Sequence, residues 1–252
     1  MAERQFQTVK LPSLGKFYDG KVPNGEIEVY PIRVREEKMM AGATGSGSER
    51  MTLLLRNCLK TEIDPRELLL VDRYFLLFYL SLISYGKDRK LQLSCPHDGC
   101  GKVFDHEADL EQCEVTYLED GVSEPYLVQL PVSQDEVGLR FLRGTDEVEM
   151  VRMLAALRRS GGRDAKGPKR MTPGEAGLLN MLMPVVTVNG ETLSQEDKVA
   201  WAEELIGRDA EFMRSAMNQF DFGVDQMIET DCPSCGKAVS VPLPAENLFR
   251  FL

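Results

Sequence analysis

Histidine is nearly missing from this chain: only His97 and His106 occur among its 252 residues. With two imidazoles and no serine set in the glycine-flanked turn of a nucleophile elbow, the usual bases and nucleophiles of a hydrolytic site do not assemble. The many carboxylates are scattered over amphipathic helical patterns, where solvation accounts for them. An enzyme is disfavoured, and no small-molecule substrate is expected. Membrane-length apolar runs are lacking too. The longest, from Tyr74 to Ile83, is interrupted by Ser81 and is too short for a bilayer core of about 30 Å. Nothing at the N-terminus reads as a targeting segment. Positive charge is in deficit, with 30 Lys and Arg against 40 Asp and Glu and a net charge of −10, which argues against indiscriminate nucleic-acid binding. A phosphate loop is also absent. Gly42-Ala43-Thr44-Gly45-Ser46-Gly47-Ser48 has the glycines, but it has no Lys to reach a phosphate and follows a helical pattern, so it reads as a flexible linker.

What is present is a core-forming composition, 43% hydrophobic and 28% charged, and a pair of cysteine turns. Cys95-Pro96-His97-Asp98-Gly99-Cys100-Gly101-Lys102 and Cys232-Pro233-Ser234-Cys235-Gly236-Lys237 each set two thiols around a tight turn. Each has Pro after the first Cys and Gly-Lys after the second, between short alternating apolar runs. Zinc takes four such ligands in a tetrahedron. A glycine just past the second Cys adopts the positive φ that turns a backbone N–H toward sulfur. Lys102 and Lys237 sit at matching places to offset the negative centre. Cys95, Cys100, Cys232 and Cys235 are therefore the candidate ligands of one structural zinc site.

Other readings of these thiols carry less. A redox C-x-x-C opens a helix, whereas Cys235 runs into the strand-like Gly-Lys-Ala-Val-Ser-Val. Disulfides within each pair conflict with the reducing compartment that the absence of a signal peptide suggests. Iron takes the same sulfur cage, and His97 is a further donor inside the first turn. Cys58 and Cys113 read as small packed residues. Closing the roughly 130 residues between Cys100 and Cys232 costs about 4 kcal/mol plus a constant, against about 10–16 from a structural zinc. The metal then works as a cross-brace, within one chain or between two chains that exchange knuckles.

The patterns predict a strand over residues 26–32 after an N-terminal arm punctuated by Pro12, Gly15, Gly20, Pro23 and Asn24-Gly25. They predict helices over 35–40, 50–59, 67–84, 134–142, 146–158, 173–183, 195–205 and 209–219. Asp64-Pro65 marks one helix entry and Ser194 with Asp197 another. At an offset of 137, Asp72, Phe75, Leu76, Gly86, Leu91 and Cys95 fall on Asp209, Phe212, Met213, Gly223, Ile228 and Cys232. The expected fold is α+β and predominantly helical, built as two diverged tandem repeats of strand, helices and a β ribbon with a cysteine knuckle, joined by the shared zinc-ribbon-like site. Its parts are an arm at 1–24, a first repeat at 25–112 and a second at 113–252, the second with an inserted loop near 160–172.

That loop, with Arg158, Arg159, Arg163, Lys166, Lys169 and Arg170, concentrates positive charge. It is either a solvated loop or a dock for an acidic partner or RNA, and solvation is the default for a basic tract without interleaved aromatics. Phe6, Leu11, Leu14, Phe17 and Tyr18 in the arm, with Phe249 and Phe251 at the other end, are candidate partner-binding residues. Packing on the protein's own core is their default, because large uncovered apolar patches are uncommon on soluble monomers.

The arm Val9-Lys10-Leu11-Pro12-Ser13-Leu14-Gly15-Lys16-Phe17-Tyr18, followed by Gly25-Glu26-Ile27-Glu28-Val29-Tyr30-Pro31-Ile32 and by Ser84-Tyr85-Gly86 before the first knuckle, resembles the baseplate hub assembly proteins of T-even-like contractile-tailed bacteriophages. The likeness covers the first half of the chain and follows the order of motifs into the second. It implies a non-enzymatic, chaperone-like factor or hub component that binds other hub or tail proteins in the host cytoplasm during phage assembly. The runner-up is a permanent structural subunit of the virion tail baseplate. A zinc-ribbon nucleic-acid-binding regulator is a third reading, one that needs the basic loop to carry salt-dependent binding.

Overall fold

The computed structural model describes residues 4–150, 173–243 and 245–249. The chain divides into two compact units, one formed by Met1–Tyr117 with Phe222–Leu252 and the other by Leu118–Asp221.

The first unit begins with β1 (Gln7–Lys10) and β2 (Glu26–Val29), antiparallel with Gln7 opposite Val29 and Lys10 opposite Glu26. The arm between them is tightly folded. A Cβ on Gly15 would lie 2.4 Å from Val22 O, and one on Gly25 2.6 Å from the Leu14 carbonyl carbon, so backbone packs on backbone where only glycine fits. Three helices follow: α1 (Val34–Gly42), α2 (Gly47–Cys58) and α3 (Leu70–Tyr85). The Gly-rich stretch expected to be a linker ends α1 at Gly42, crosses four non-helical residues at 43–46 and starts α2 at Gly47. Ser46 accepts the Glu49 N–H, and Glu49 reaches back to the Ser46 N–H at 2.8 Å in a capping box. Asp64 accepts from the Arg66 N–H in a turn, and α3 opens only at Leu70. Leu11, Ile27, Met40, Leu54, Leu55, Leu68, Leu76 and Leu80 are fully buried, each side chain contributing about 1.5–3 kcal/mol. α3 stops at Gly86, whose φ of 82° no continuing helix can take. The hairpin β3 (Asp88–Ser94) and β4 (Val103–Asp109) comes next, then β5 (Val115–Thr116).

The second unit holds β6 (Tyr126–Gln129), β7 (Glu136–Leu139) and β8 (Val185–Val188) in one antiparallel sheet of order β6-β7-β8. It also holds α4 (Pro173–Leu182), α5 (Gln195–Glu203) and α6 (Gly207–Ala216). Its core includes Val128, Leu130, Val137, Leu139, Leu182 and Met213, and Tyr126, Phe141 and Phe220 close on one another at 5.0–5.6 Å between ring centroids. Ser194 caps α5 through the Asp197 N–H. The helix expected over 134–142 is instead β7. The one expected over 146–158 is described only to Met150, where the chain is helical.

The chain then returns to the first unit. β9 (Gly223–Val224) pairs with β5, β10 (Met227–Asp231) and β11 (Ala238–Pro242) form a second hairpin, and α7 (Ala245–Leu248) follows.

Two expectations are corrected. The fold is mixed α+β rather than predominantly helical: among the described residues, eleven strands in five small sheets stand beside the helices. A tandem repeat is not supported either. Two repeats would give each half its own unit and knuckle, whereas both cysteine hairpins belong to the first unit and residues 118–221 form a unit of their own. The likeness between the halves is local. Asp72 accepts the Ser13 N–H and Asp209 accepts the Val132 and Ser133 N–H groups, each after a Leu-Pro, but the first loop follows a two-stranded sheet and the second lies in a unit built on three strands.

Candidate metal centre

Each hairpin ends in a turn that its own backbone fixes. The Cys95 N–H donates to Lys102 O at 2.9 Å and the Cys232 N–H to Lys237 O at 2.9 Å, so both first cysteines are locked at a strand end. The Cys100 N–H donates to His97 O, and the Gly236 N–H to Cys232 O. Gly101 (φ 55°) and Gly236 (φ 68°) take the left-handed conformation that side chains resist. These turns bring four sulfurs together, all within 4.8 Å of one another.

The spacing discriminates between chemistries. Cys95 Sγ lies 3.7 Å from Cys235 Sγ, and Cys100 Sγ 3.8 Å from Cys232 Sγ. A disulfide needs about 2.05 Å. A tetrahedron of sulfurs at about 2.3 Å from a central ion has edges of about 3.8 Å. All six cysteines are free thiols, and these two close approaches run between hairpins rather than within them.

Electrostatics point the same way. The Cys235 N–H, working against the cost of burial and joined by the Ser234 N–H and the Cys235 and Cys95 thiols, holds the Cys232 thiol down to about 7. The His97 N–H favours a Cys95 thiolate, yet burial and the thiols of Cys100, Cys235 and Cys232 push that group up to about 12. The Cys232 thiolate forms readily while Cys95 holds its proton, so ionising both takes a cation beside them. Four sulfurs from protein leave no open coordination position, which suits a structural ion rather than a catalytic one.

His97 does not stand in for a thiolate. Its Nε2–H donates to Ala238 O at 2.8 Å, tying the first knuckle to the strand that leaves the second. The sequence placed His97 in the turn but gave no sign of this bond. Cys95, Cys232 and Val239 are buried at the joint, with Cys100, Phe104 and Val241 packed around them.

The other candidate residues lie elsewhere. Leu11 and Tyr18 are buried, while Leu14 and Phe17 are half-buried. Phe6 is 42% exposed, edge-on to Tyr30 with the Lys60 ammonium 3.3 Å above its ring. Phe249 is buried against Tyr85. Phe251 and the basic residues Arg158, Arg159, Arg163, Lys166, Lys169 and Arg170 lie outside the described residues. Cys58 is buried, and burial pushes its thiol up to about 12. Sequence reasoning missed the role of Asp72, although an acidic residue inside an apolar helix pattern was the available signal. No helix among the described residues is long and apolar enough to cross a membrane.

No curated protein and no solved structure matches the chain. The family model described as T4 bacteriophage base plate protein matches residues 3–250. With nearly its whole length matched, and with the arm and knuckle motifs inside the match, the chain belongs to that family of phage baseplate proteins.

Proposed function

We propose that this baseplate-family chain is a non-enzymatic hub assembly factor, chaperone-like or a transient hub component, that binds other hub or tail proteins. In this reading it carries a structural zinc ion on Cys95, Cys100, Cys232 and Cys235. The observation that carries the metal part is the sulfur spacing, whose 3.7 and 3.8 Å approaches match the edges of a zinc tetrathiolate. Lys102 and Lys237, whose carbonyls hold the first cysteine of each turn, bring positive charge to a centre that would carry about −2 with four thiolates on a divalent ion. The assembly part rests on family membership and on the resemblance of the arm to hub assembly proteins. Action then takes place in the host cytoplasm while tails are built.

The test is affinity capture of the tagged protein from infected cells, with metal quantification and mass spectrometry of mature virions. The expected result is one zinc per chain, co-captured hub or tail proteins and absence of the chain from finished virions. The Cys232→Ser variant is expected to lose the metal. Stoichiometric presence in the virion would overturn the assembly reading in favour of a permanent baseplate subunit. Full metal content in Cys232→Ser would overturn the four-cysteine site.

A further inference from the structure

The two cysteine hairpins share no strand ladder. β3–β4 and β10–β11 are separate two-stranded sheets, and the apolar joint between them is small, with three buried residues at its centre. Just beyond β11 the chain meets a different surface. The Leu243 N–H closes the hairpin base on Gln226 O at 2.6 Å, and Leu243 O accepts the Tyr74 hydroxyl. Leu248 O accepts Ser81 Oγ–H at 2.8 Å, and Phe249 sits edge-on to Tyr85 at 6.4 Å between centroids. Tyr74, Ser81 and Tyr85 are spaced by seven and four residues, which sets them on one stripe of α3. Leu243, Leu248 and Phe249 are all buried against the first unit.

We infer that the metal is a latch for this segment: occupancy of the four-cysteine site sets whether Leu243, α7 and Phe249 stay docked on the Tyr74–Ser81–Tyr85 stripe of α3. The inference rests on the metal reading above. Its physical basis is delivery. α7 has four residues, far below the length at which a helix holds itself, and its docking needs the hairpin before it to stand in one place. The metal fixes that place by tying Cys232 and Cys235 to Cys95 and Cys100, which raises the effective concentration of the tail at α3. Upstream, β9 stays paired to β5, and the Asp225 N–H stays on Glu114 O. Metal loss therefore frees β10, β11 and α7 while leaving the rest of the unit in place. Linkage runs both ways: contacts between the tail and α3 must strengthen metal binding by the factor with which metal strengthens docking.

Hydrogen exchange on the full chain, zinc-loaded and EDTA-stripped, reads the latch directly. Stripping is expected to speed exchange at residues 238–243 and 245–249 by about tenfold or more, within the span of local opening, with β6, β7 and β8 unchanged. Zinc bound at one per chain with unchanged exchange at 245–249 would overturn the latch alone. A chain that carries no zinc and takes none up would overturn the metal reading and the latch with it. Loss of protection throughout the molecule would also overturn the latch, because the metal would then be a general stabiliser. The double variant Tyr74→Phe, Phe249→Ala removes one docking bond and the tail ring set against Tyr85 without touching a cysteine or the hairpin that carries Cys95. It is expected to weaken zinc affinity, measured against a competing chelator, by about 5- to 30-fold, and an unchanged affinity overturns the coupling.

Discussion

At the scale of single residues, Asp72 ties the N-terminal arm of the first unit to α3. It is fully buried on α3, accepts the Ser13 N–H at 3.0 Å and takes the Tyr18 hydroxyl on its other oxygen. The Tyr18 oxygen in turn accepts the Leu69 N–H at 3.0 Å. This chain of bonds fastens the N-terminal arm to the start of α3. Burial pushes the Asp72 carboxyl above the usual carboxylate range, with the Ser13 and Tyr18 bonds pulling it partly back. The folded state therefore holds this proton more tightly than the unfolded state does. Its contribution to stability is complete below the ordinary Asp value of about 3.9 and falls as pH rises toward the folded value. Asp72→Asn removes the charge that forms in that window. In urea titrations from about pH 4 to pH 7, the midpoint of the variant is expected to gain on wild type as pH increases. Parallel curves for the two proteins would refute the assignment.

At the scale of elements, β7 shows what a local reading sees and what it misses. Gln134-Asp135-Glu136 looks like the acidic start of a helix, yet residues 136–139 are the central strand between β6 and β8. Pairing on both edges outweighs a helical signal only a few residues long. Gly138 makes that pairing close, since a Cβ there would meet Thr187 Oγ1 at 2.3 Å. Gly138→Ala is expected to cost about 1–3 kcal/mol as overpacking, measured by denaturant titration, and a neutral effect would mean that β8 stands farther off. The cysteine turns were legible for the opposite reason. Their Pro, Gly and Lys act within the turn, so spacing alone carried the geometry. The two hairpins' membership of one unit was not legible, because it depends on pairings such as Val115 with Val224, more than a hundred residues apart.

At the scale of the whole chain, the division into two units gives metal binding a local reach. The four clustered cysteines belong to the first unit, and the single tryptophan, Trp201, belongs to the second, where its indole N–H donates to Asp135 at 2.9 Å. Zinc that binds the folded first unit stabilises it by about 4 kcal/mol when free metal stands a thousandfold above its dissociation constant. Nothing in that linkage acts on residues 118–221 unless the units unfold together. Chelation is therefore expected to lower the unfolding transition seen by far-ultraviolet circular dichroism while the Trp201 fluorescence midpoint stays within about 0.5 kcal/mol of its starting value. If the two signals move together, the chain unfolds as one cooperative body, and the metal braces all of it rather than the unit that holds the cysteines.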